Sequence, residues 1–289
     1  MKLSSLFAQG KFVVTSEVGP PKGTDVSGML AEAEHLKGVV DAVNVTDNQS
    51  AVMRLGSLTA SHLLKQKGFE PVFQLTCRDR NRLALQSDLL SAAVLGIENV
   101  LCLTGDHVHA GDHPQAKPVY DFDSVQLLRT ARELCNGFDA AGNQLDGKPD
   151  FCLGAVVNPG ADPLEPQLIK LEKKIKAGAQ FIQTQAVFDP AVFEKFIKQA
   201  SSFGVPVVAG IVLLKSAGMG RYMNENVSGV NVPDSLLREM ADLPAEKRKE
   251  KSAAIAVKLI KELKQMCAGV HIMPLGWTDL VPGIVSAAV

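Results

Sequence analysis

The chain has 289 residues, of which 46% are hydrophobic and 21% are charged, so it can bury a sizeable core. Its formal net charge is -1. This balance argues against nucleic acid or an anionic membrane as the main partner, because phosphate binding requires concentrated Lys and Arg.

The chain carries no targeting or membrane signal that we can read. No uncharged apolar stretch approaches the ~20 residues that a membrane span needs. The N-terminus lacks an apolar segment followed by small cleavage-site residues. None of the five cysteines forms a Cys-x-x-Cys pair, which disfavours zinc and redox-dithiol sites, and three lie in apolar runs typical of buried thiols. We therefore expect a cytoplasmic protein without membrane insertion.

Short β-branched runs alternate with longer helical patterns along the whole sequence. Strands are predicted at 11–18, 40–46, 71–76, 100–103, 151–157, 181–184, 206–213 and 270–273. Helices are predicted at 25–36, 57–67, 82–95, 124–134, 164–177, 190–201, 235–240 and 245–266. Segments 106–123 and 215–233 lack periodicity and are predicted to be long loops.

Strands that alternate with helices indicate parallel pairing through βαβ crossovers. Eight such units in this length predict an α/β fold, a single (β/α)8 TIM barrel spanning residues 1–289. The rival is an open doubly wound sheet. No Gly-x-Gly-x-x-Gly follows the first strand, which disfavours that rival.

The active site of such a barrel lies at the carboxyl ends of its strands. Glu17 is an acidic residue in an apolar strand, just before a Gly-Pro-Pro turn. It is a candidate general acid, or else a carboxylate that caps a nearby backbone or pairs with a lysine. His271 is the polar residue that the last strand contributes.

Three further features have two interpretations each. Asp106 follows Gly105 in a tight turn, and it either faces a ligand or bonds its own backbone. The His- and Asp-rich run 105–113 could hold a metal, but its spacing matches no established zinc pattern, so no metal site is predicted. Lys173 and Lys174 belong either to a solvated helix face or to a phosphate contact.

Six fragments in order resemble the methylenetetrahydrofolate reductases. They are TSEVGPP at 15–21, VTD at 45–47, LTC at 75–77, LTGD at 103–106, LEKKIKAGA at 171–179 and QTQAVFD at 183–189. Each fragment is short, but each lies at a strand end or on a helix of the predicted barrel.

The resemblance implies a flavin barrel that reduces 5,10-methylenetetrahydrofolate to 5-methyltetrahydrofolate, with hydride passing from the flavin N5. By position, Glu17 matches the acid that supplies a proton towards N10, Asp106 matches the carboxylate near the flavin pyrimidine and the pterin, and Gln185 matches the amide that binds folate. The cofactor is FAD, with FMN as the alternative. The positions that match flavin contacts are Thr46, Gln74, Thr104, Gly105, Asp106, Tyr120, Asp121, Gly154, Ala155, Asn158, Lys173 and Lys174.

Several positions depart from the family pattern. Gln74 stands where the well-known bacterial enzymes carry His, Asn158 ends a segment that replaces Tyr-Pro-x-x-His, and Leu275-Gly276-Trp277 replaces Leu-Asn-Arg. The last change affects the contacts to the glutamate tail of folate. These departures resemble the branch in acetogenic and other anaerobic bacteria, which works with a small partner subunit. The electron donor is therefore NADH, NADPH or a partner redox subunit, and we expect an oligomer or a hetero-complex.

Two other functions remain open on the sequence. One is a flavin-free, pterin-binding methyltransferase barrel, and the other is a scaffold subunit of a larger redox complex. The presence of Glu17, Asp106 and Gln185 together argues against the scaffold.

Overall fold

A computed structural model describes residues 1–241 and 243–289. Within them, eight parallel strands pair in chain order, and the last strand returns to pair with the first, which closes the sheet into a barrel. The closure confirms the predicted (β/α)8 fold and excludes the open doubly wound sheet. The strands are β1 Val13–Val18, β2 Ala42–Val45, β3 Pro71–Thr76, β4 Asn99–Leu103, β5 Cys152–Val157, β6 Phe181–Ala186, β7 Val207–Val212 and β8 Gly269–Met273.

Helices surround the strands. In the described part of the chain they are α1 Leu3–Ala8, α2 Ser27–Glu34, α3 Ser57–Gln66, α4 Arg82–Val94, α5 Ser124–Asn136, α6 Glu165–Ala177, α7 Pro190–Ala200, α8 Ala217–Asn226, α9 Asp234–Ala241, α10 Ala245–Leu263 and α11 Val281–Ala288. Asn81, Asp123 and Asp189 cap α4, α5 and α7 by accepting hydrogen bonds from free backbone N–H groups of the first turn. None of the helices described here is long and apolar enough to cross a bilayer.

The predicted loop at 215–233 is wrong, because it contains α8. The Ser216 side chain accepts a hydrogen bond from the backbone N–H of Met219, 3.1 Å away, and so begins this helix. Gly218 and Gly220 conceal the helical period in the sequence, since glycine gives no apolar side chain to count. Segment 106–123 is irregular as predicted, apart from one 3-10 turn at Val108–Ala110.

Two terminal helices were not predicted. Helix α1 covers the amino-terminal end of the barrel, where Leu3 and Leu6 pack against a small apolar cluster that includes Val13 and Phe181. Helix α11 packs against α10. The main core lies between the strands and the outer helices. The expectation of three buried thiols is confirmed for Cys77, Cys102 and Cys152.

Two glycines allow close packing inside the barrel. A β carbon on Gly269 would lie 2.2 Å from the carbonyl oxygen of Val13, at the junction of β1 and β8. A β carbon on Gly154 would lie 2.2 Å from the ring of Phe181, which is 2% exposed. Both positions therefore need glycine for packing reasons.

We predict that Gly154→Ala destabilises the protein by about 1–3 kcal/mol, because the added methyl group overpacks a ring that has little room to move. Thermal or urea unfolding measures this change. Gly28→Ala on α2 is the matched control, since nothing lies within 4 Å of its new β carbon, and it should be neutral or slightly stabilising. Equal stabilities for the two variants would contradict the packing role of Gly154.

Candidate active site

A cavity of about 360 Å³ opens at the carboxyl ends of the strands. It is lined mostly by polar side chains that leave different strands of the barrel. Glu17 of β1, Asp106 after β4 and Gln185 of β6 all line it, although they are far apart in the sequence. The wall also includes Thr46, Asp47, Gln49, Gln74, Thr76, Arg78, Thr104, Gly105, Ser124, Asn158, Gln167, Lys170, Lys174, Gln183, Thr184 and Met273.

Glu17 lies beside a buried histidine. Its carboxylate oxygen Oε2 is 3.7 Å from Nε2 of His271, and its side chain is 10% exposed while His271 is fully buried. The other ring nitrogen, Nδ1, is 2.9 Å from the hydroxyl of Thr15. The sequence placed His271 at a strand end, but it lies in the middle of β8 and faces β1. Nε2 has no hydrogen-bond partner among the described residues, and the Glu17 carboxylate lies just beyond hydrogen-bond distance of it.

The backbone turn at Gly105 sets the position of Asp106. Gly105 has φ +91°, and a β carbon there would lie 3.1 Å from Thr76, so the turn requires glycine. The Asp106 carboxylate accepts a hydrogen bond from the backbone N–H of Ser50 at 3.1 Å. It therefore bonds the loop after β2 and not its own turn.

Buried amide and hydroxyl groups lie in the cavity wall at Thr46 and Gln183 and next to it at Asn44. The Asn44 side-chain amide donates a hydrogen bond to Oε1 of Gln183 at 2.8 Å. Asn44 Oδ1 and Thr46 Oγ1 are buried without a partner in the described part of the chain. An orphaned hydroxyl in a cavity wall is costly unless a ligand or water satisfies it, and Thr46 lines the cavity.

Two lysines of α6 face the cavity. Lys174 is 8% exposed and donates a hydrogen bond to the Val156 carbonyl at 2.5 Å. Lys170, one turn earlier, also lines the wall, whereas the predicted Lys173 is exposed and does not. Residues four apart lie on the same face of a helix, so the sequence could have paired Lys174 with Lys170 and not with Lys173. Burial, and then the charge of Lys170, lower the pKa of Lys174 to about 8.

Besides Lys173, four predicted flavin contacts do not line the cavity. The Tyr120 hydroxyl donates a hydrogen bond to the Asp106 carbonyl at 2.9 Å. Asp121 is held by Arg82, with a 2.8 Å ion pair and a bond from the Arg82 backbone N–H. Gly154 packs on the Phe181 ring, and Ala155 is buried in the main core. These four residues are placed by packing or by protein partners.

Asn158 lines the cavity, but its side-chain amide is already hydrogen-bonded to other residues of the protein. Its amide nitrogen donates to the Ser228 carbonyl at 2.5 Å, and its oxygen accepts from the Gly160 backbone N–H at 3.2 Å. The bond to Ser228 ties the loop after β5 to the loop after α8, and the bond from Gly160 stays within the loop after β5. Asn158 therefore shapes the rim through the loops that it joins.

A buried ion pair whose acidic member, Asp47, lines the cavity was not predicted from the sequence. The Asp47 side chain is fully buried, accepts bonds from the backbone N–H and the hydroxyl of Thr76, and pairs with Arg80 at 2.7 Å. Arg80 also pairs with Asp88 at 2.9 Å. The Val-Thr-Asp sequence at the end of β2 was the signal that could have identified Asp47.

The described residues contain no group of three or more His, Cys, Asp or Glu side chains placed to hold a metal ion. In the His-rich loop, the rings of His107 and His109 stack with centroids 4.9 Å apart. His113 contacts Asp112, which also pairs with Lys22.

The lowered pKa of Lys174 predicts how its contribution to stability depends on pH. Between about pH 8 and the ordinary value of 10.5, the unfolded chain holds this proton and the folded protein does not. Stability from this group therefore rises with pH in that window, and the full penalty of burying the charge applies below it. Lys174→Met should be more stable than wild type by on the order of 2 kcal/mol near neutral pH, and the difference should shrink towards pH 10.5.

Urea unfolding at several pH values measures this difference. Lys173→Met, which changes an exposed lysine on the same helix, is the control and should show no such pH dependence. A stability difference for Lys174→Met that stays constant with pH would contradict the prediction.

Comparisons with known proteins agree with this architecture. The sequence profile described as "Methylenetetrahydrofolate reductase" matches residues 2–288. Methylenetetrahydrofolate reductase 2 of Schizosaccharomyces pombe is 29% identical over 202 residues, which cover 64% of this chain and 29% of that protein. The 5,10-methylenetetrahydrofolate reductase of Salmonella typhimurium is 26% identical, over 89% of this chain and 83% of that protein. The chain thus spans under a third of the yeast relative but most of the bacterial one.

Solved structures share the barrel at low sequence identity. An uncharacterized protein from Clostridium thermocellum that binds two copies of 5-methyl-5,6,7,8-tetrahydrofolic acid aligns with a TM-score of 0.64 and 14% identity, over 99% of this chain and 98% of that one. An F420-dependent secondary alcohol dehydrogenase aligns with a TM-score of 0.59 and 14% identity, over 96% and 99%. These likenesses concern the fold, whereas the profile match extends over nearly the whole sequence, and the chain belongs to the methylenetetrahydrofolate reductase family.

Proposed function

We propose that this chain reduces 5,10-methylenetetrahydrofolate to 5-methyltetrahydrofolate with a bound flavin. The observation that carries the proposal is one cavity that collects Glu17, Asp106 and Gln185 from three separate strand ends in a chain of this family. The three groups offer a proton, a negative charge and an amide, which are the functions that the reaction requires.

The cavity residues fit a flavin nucleotide. The volume of about 360 Å³ lies in the range of ligand pockets, roughly 300–1,000 Å³. The unpartnered hydroxyl of Thr46 and the amide of Gln74 can bond a polar ring edge. Lys170 and Lys174 provide point charges for a phosphate on the β5 side. When bound, the flavin supplies the hydride that turns the methylene group into a methyl group.

Glu17 holds the proton that the folate needs. Protonation at N10 of the substrate opens its five-membered ring and leaves an electrophilic carbon on N5. His271, fixed by Thr15, lies 3.7 Å from Glu17, and the Glu17 carboxyl group, which lines the cavity, regains its proton from solvent in the cavity after each turnover.

Asp106 and Gln185 act on the other side of the cavity. The Asp106 carboxylate, fixed by the Ser50 N–H, stabilises the positive charge that develops on the opened substrate. The hydroxyl of Thr184, which donates to the Gln185 carbonyl at 2.7 Å and accepts from Gly210, anchors the strand end that carries Gln185. The exposed Gln185 amide is thereby free to bond the pterin.

The cofactor is FAD or FMN, and the electrons come from NADH, NADPH or a partner redox subunit. The family branch with a partner subunit, and assembly into an oligomer or hetero-complex, stay predictions that co-purification and light scattering can check.

An absorbance spectrum of the purified protein tests the proposed function. We expect a yellow protein, and addition of NADH under anaerobic conditions distinguishes a direct donor from a missing partner, since only a direct donor bleaches the flavin. Dithionite-reduced protein should then convert 5,10-methylenetetrahydrofolate. A colourless protein that binds neither FAD nor FMN would contradict the proposal and favour a flavin-free methyltransferase.

Glu17→Gln should leave flavin bound and reducible but lower folate reduction by roughly two to four powers of ten, because the amide cannot deliver the proton. Rapid mixing of the reduced variant with folate measures the step. Glu34→Gln, on the surface of α2, is the matched control and should behave as wild type. Normal folate reduction by the Glu17 variant would end the general-acid role.

Asp106→Asn should raise the flavin midpoint potential, because removing a carboxylate makes added negative charge on the ring less unfavourable. It should also weaken folate binding. Redox titration against a reference dye measures the potential, with the exposed Asp146→Asn as the control. If both potential and folate affinity are unchanged, Asp106 does not face the ring.

A further inference from the structure

Arg78 is the largest fully buried side chain of the described protein, at 2% exposure, and it lies in the cavity wall. It follows β3, between the ends of β2 and β4. Its guanidinium makes a two-point contact with Asp79, from Nε at 2.8 Å and from a terminal nitrogen at 2.7 Å. Two further bonds go to backbone carbonyls of separate loops, Asp106 at 3.2 Å and Asn48 at 3.2 Å.

The loop after β2 is strained. Asn48, Ser50 and Ala51 have φ values of 44°, 55° and 57°, in the left-handed region that non-glycine residues rarely adopt. Such a backbone conformation is unfavourable and persists only where its surroundings fix it. Arg78 provides part of that fixation through the Asn48 carbonyl.

The strained loop after β2 and the loop after β4 are joined by hydrogen bonds and by a close backbone contact. The Ser50 N–H, whose direction depends on the left-handed backbone, is the donor to the Asp106 carboxylate at 3.1 Å. A β carbon on Gly111 would lie 1.9 Å from the Ala51 carbonyl oxygen, so the two backbones are in direct contact. Asp112 accepts from the Met53 N–H at 3.0 Å.

Arg78 bonds to both of the loops that hold the Asp106 carboxylate, through the Asp106 and Asn48 carbonyls. It fixes the carbonyl of Asp106 together with Tyr120, and it fixes the loop that supplies the N–H to the carboxylate. A role limited to neutralising Asp79 would not need bonds to two loops. A neutral side chain could not supply donors to all of these acceptors at once.

We propose that Arg78 is a positioning residue that holds the carboxylate of Asp106 at the cavity wall by locking the loops after β2 and β4 together. We call the link that Arg78 makes between the two loops the lock. The importance of Arg78 for catalysis rests on the proposed function, whereas the existence of the lock does not. The predicted flavin contact Tyr120 belongs to the same lock, through its bond to the Asp106 carbonyl.

Hydrogen exchange of the ligand-free protein tests the lock. Arg78→Lys keeps the positive charge but loses the separate guanidinium N–H groups that reach the two loops. Amide exchange at Ser50 and in residues 106–112 should therefore quicken by about tenfold or more. Tyr120→Phe, a milder change, should quicken exchange near Asp106 only. Arg132→Lys on α5 is the matched arginine control and should leave these loops unchanged. Unchanged exchange at Ser50 in the Arg78 variant would overturn the lock.

A double-mutant cycle tests whether the lock acts through Asp106. Arg78→Lys alone should lower folate reduction by about tenfold and shift the flavin potential in the direction of Asp106→Asn. In the Asp106→Asn background, Arg78→Lys should cost less than about twofold. Additive losses, or a stability loss without a shift in potential, would overturn the positioning role. If wild type reduces no folate, the proposed function fails, and the exchange data still decide the lock.

Discussion

The pairing of β1 with β8 is the constraint on which the site depends. It places Val13 beside Gly269 and Thr15 beside His271, and it requires glycine at 269 because the Val13 carbonyl occupies the space of a side chain. Closure brings every strand end to one rim. In an open sheet, Glu17 would stand at an edge, distant from Gln185 and without its histidine.

Most of the fold follows from alternation in the sequence. The predicted strands and helices lie within a few residues of the observed ones, because apolar periodicity reports which face is buried. Helix α8 escaped detection because its glycines leave no apolar pattern. Helices α1 and α11 were also missed, although each buries apolar side chains, Leu3 and Leu6 in α1 and Val281 and Ile284 in α11.

The site could be predicted only where a general rule applied. Polar residues at strand ends face the barrel mouth, so this rule and the family resemblance together predicted Glu17, Asp106 and Gln185, which do line one cavity. Which side of a loop faces a ligand depends on its partners, and sequence does not reveal that Asp121 bonds Arg82 or that Asn158 bonds Ser228. Arg78 was overlooked because a charged residue after a strand is usually solvated.

The hydrogen bond between Asn44 and Gln183 joins β2 to β6, which are opposite walls of the barrel. Apolar side chains such as Val72 and Phe181 fill the barrel interior towards α1. The hydrogen bond between the two amides therefore limits how deep into the barrel a ligand can bind. Neither amide gains or loses a proton under ordinary conditions. The depth that this hydrogen bond sets is therefore indifferent to acidity.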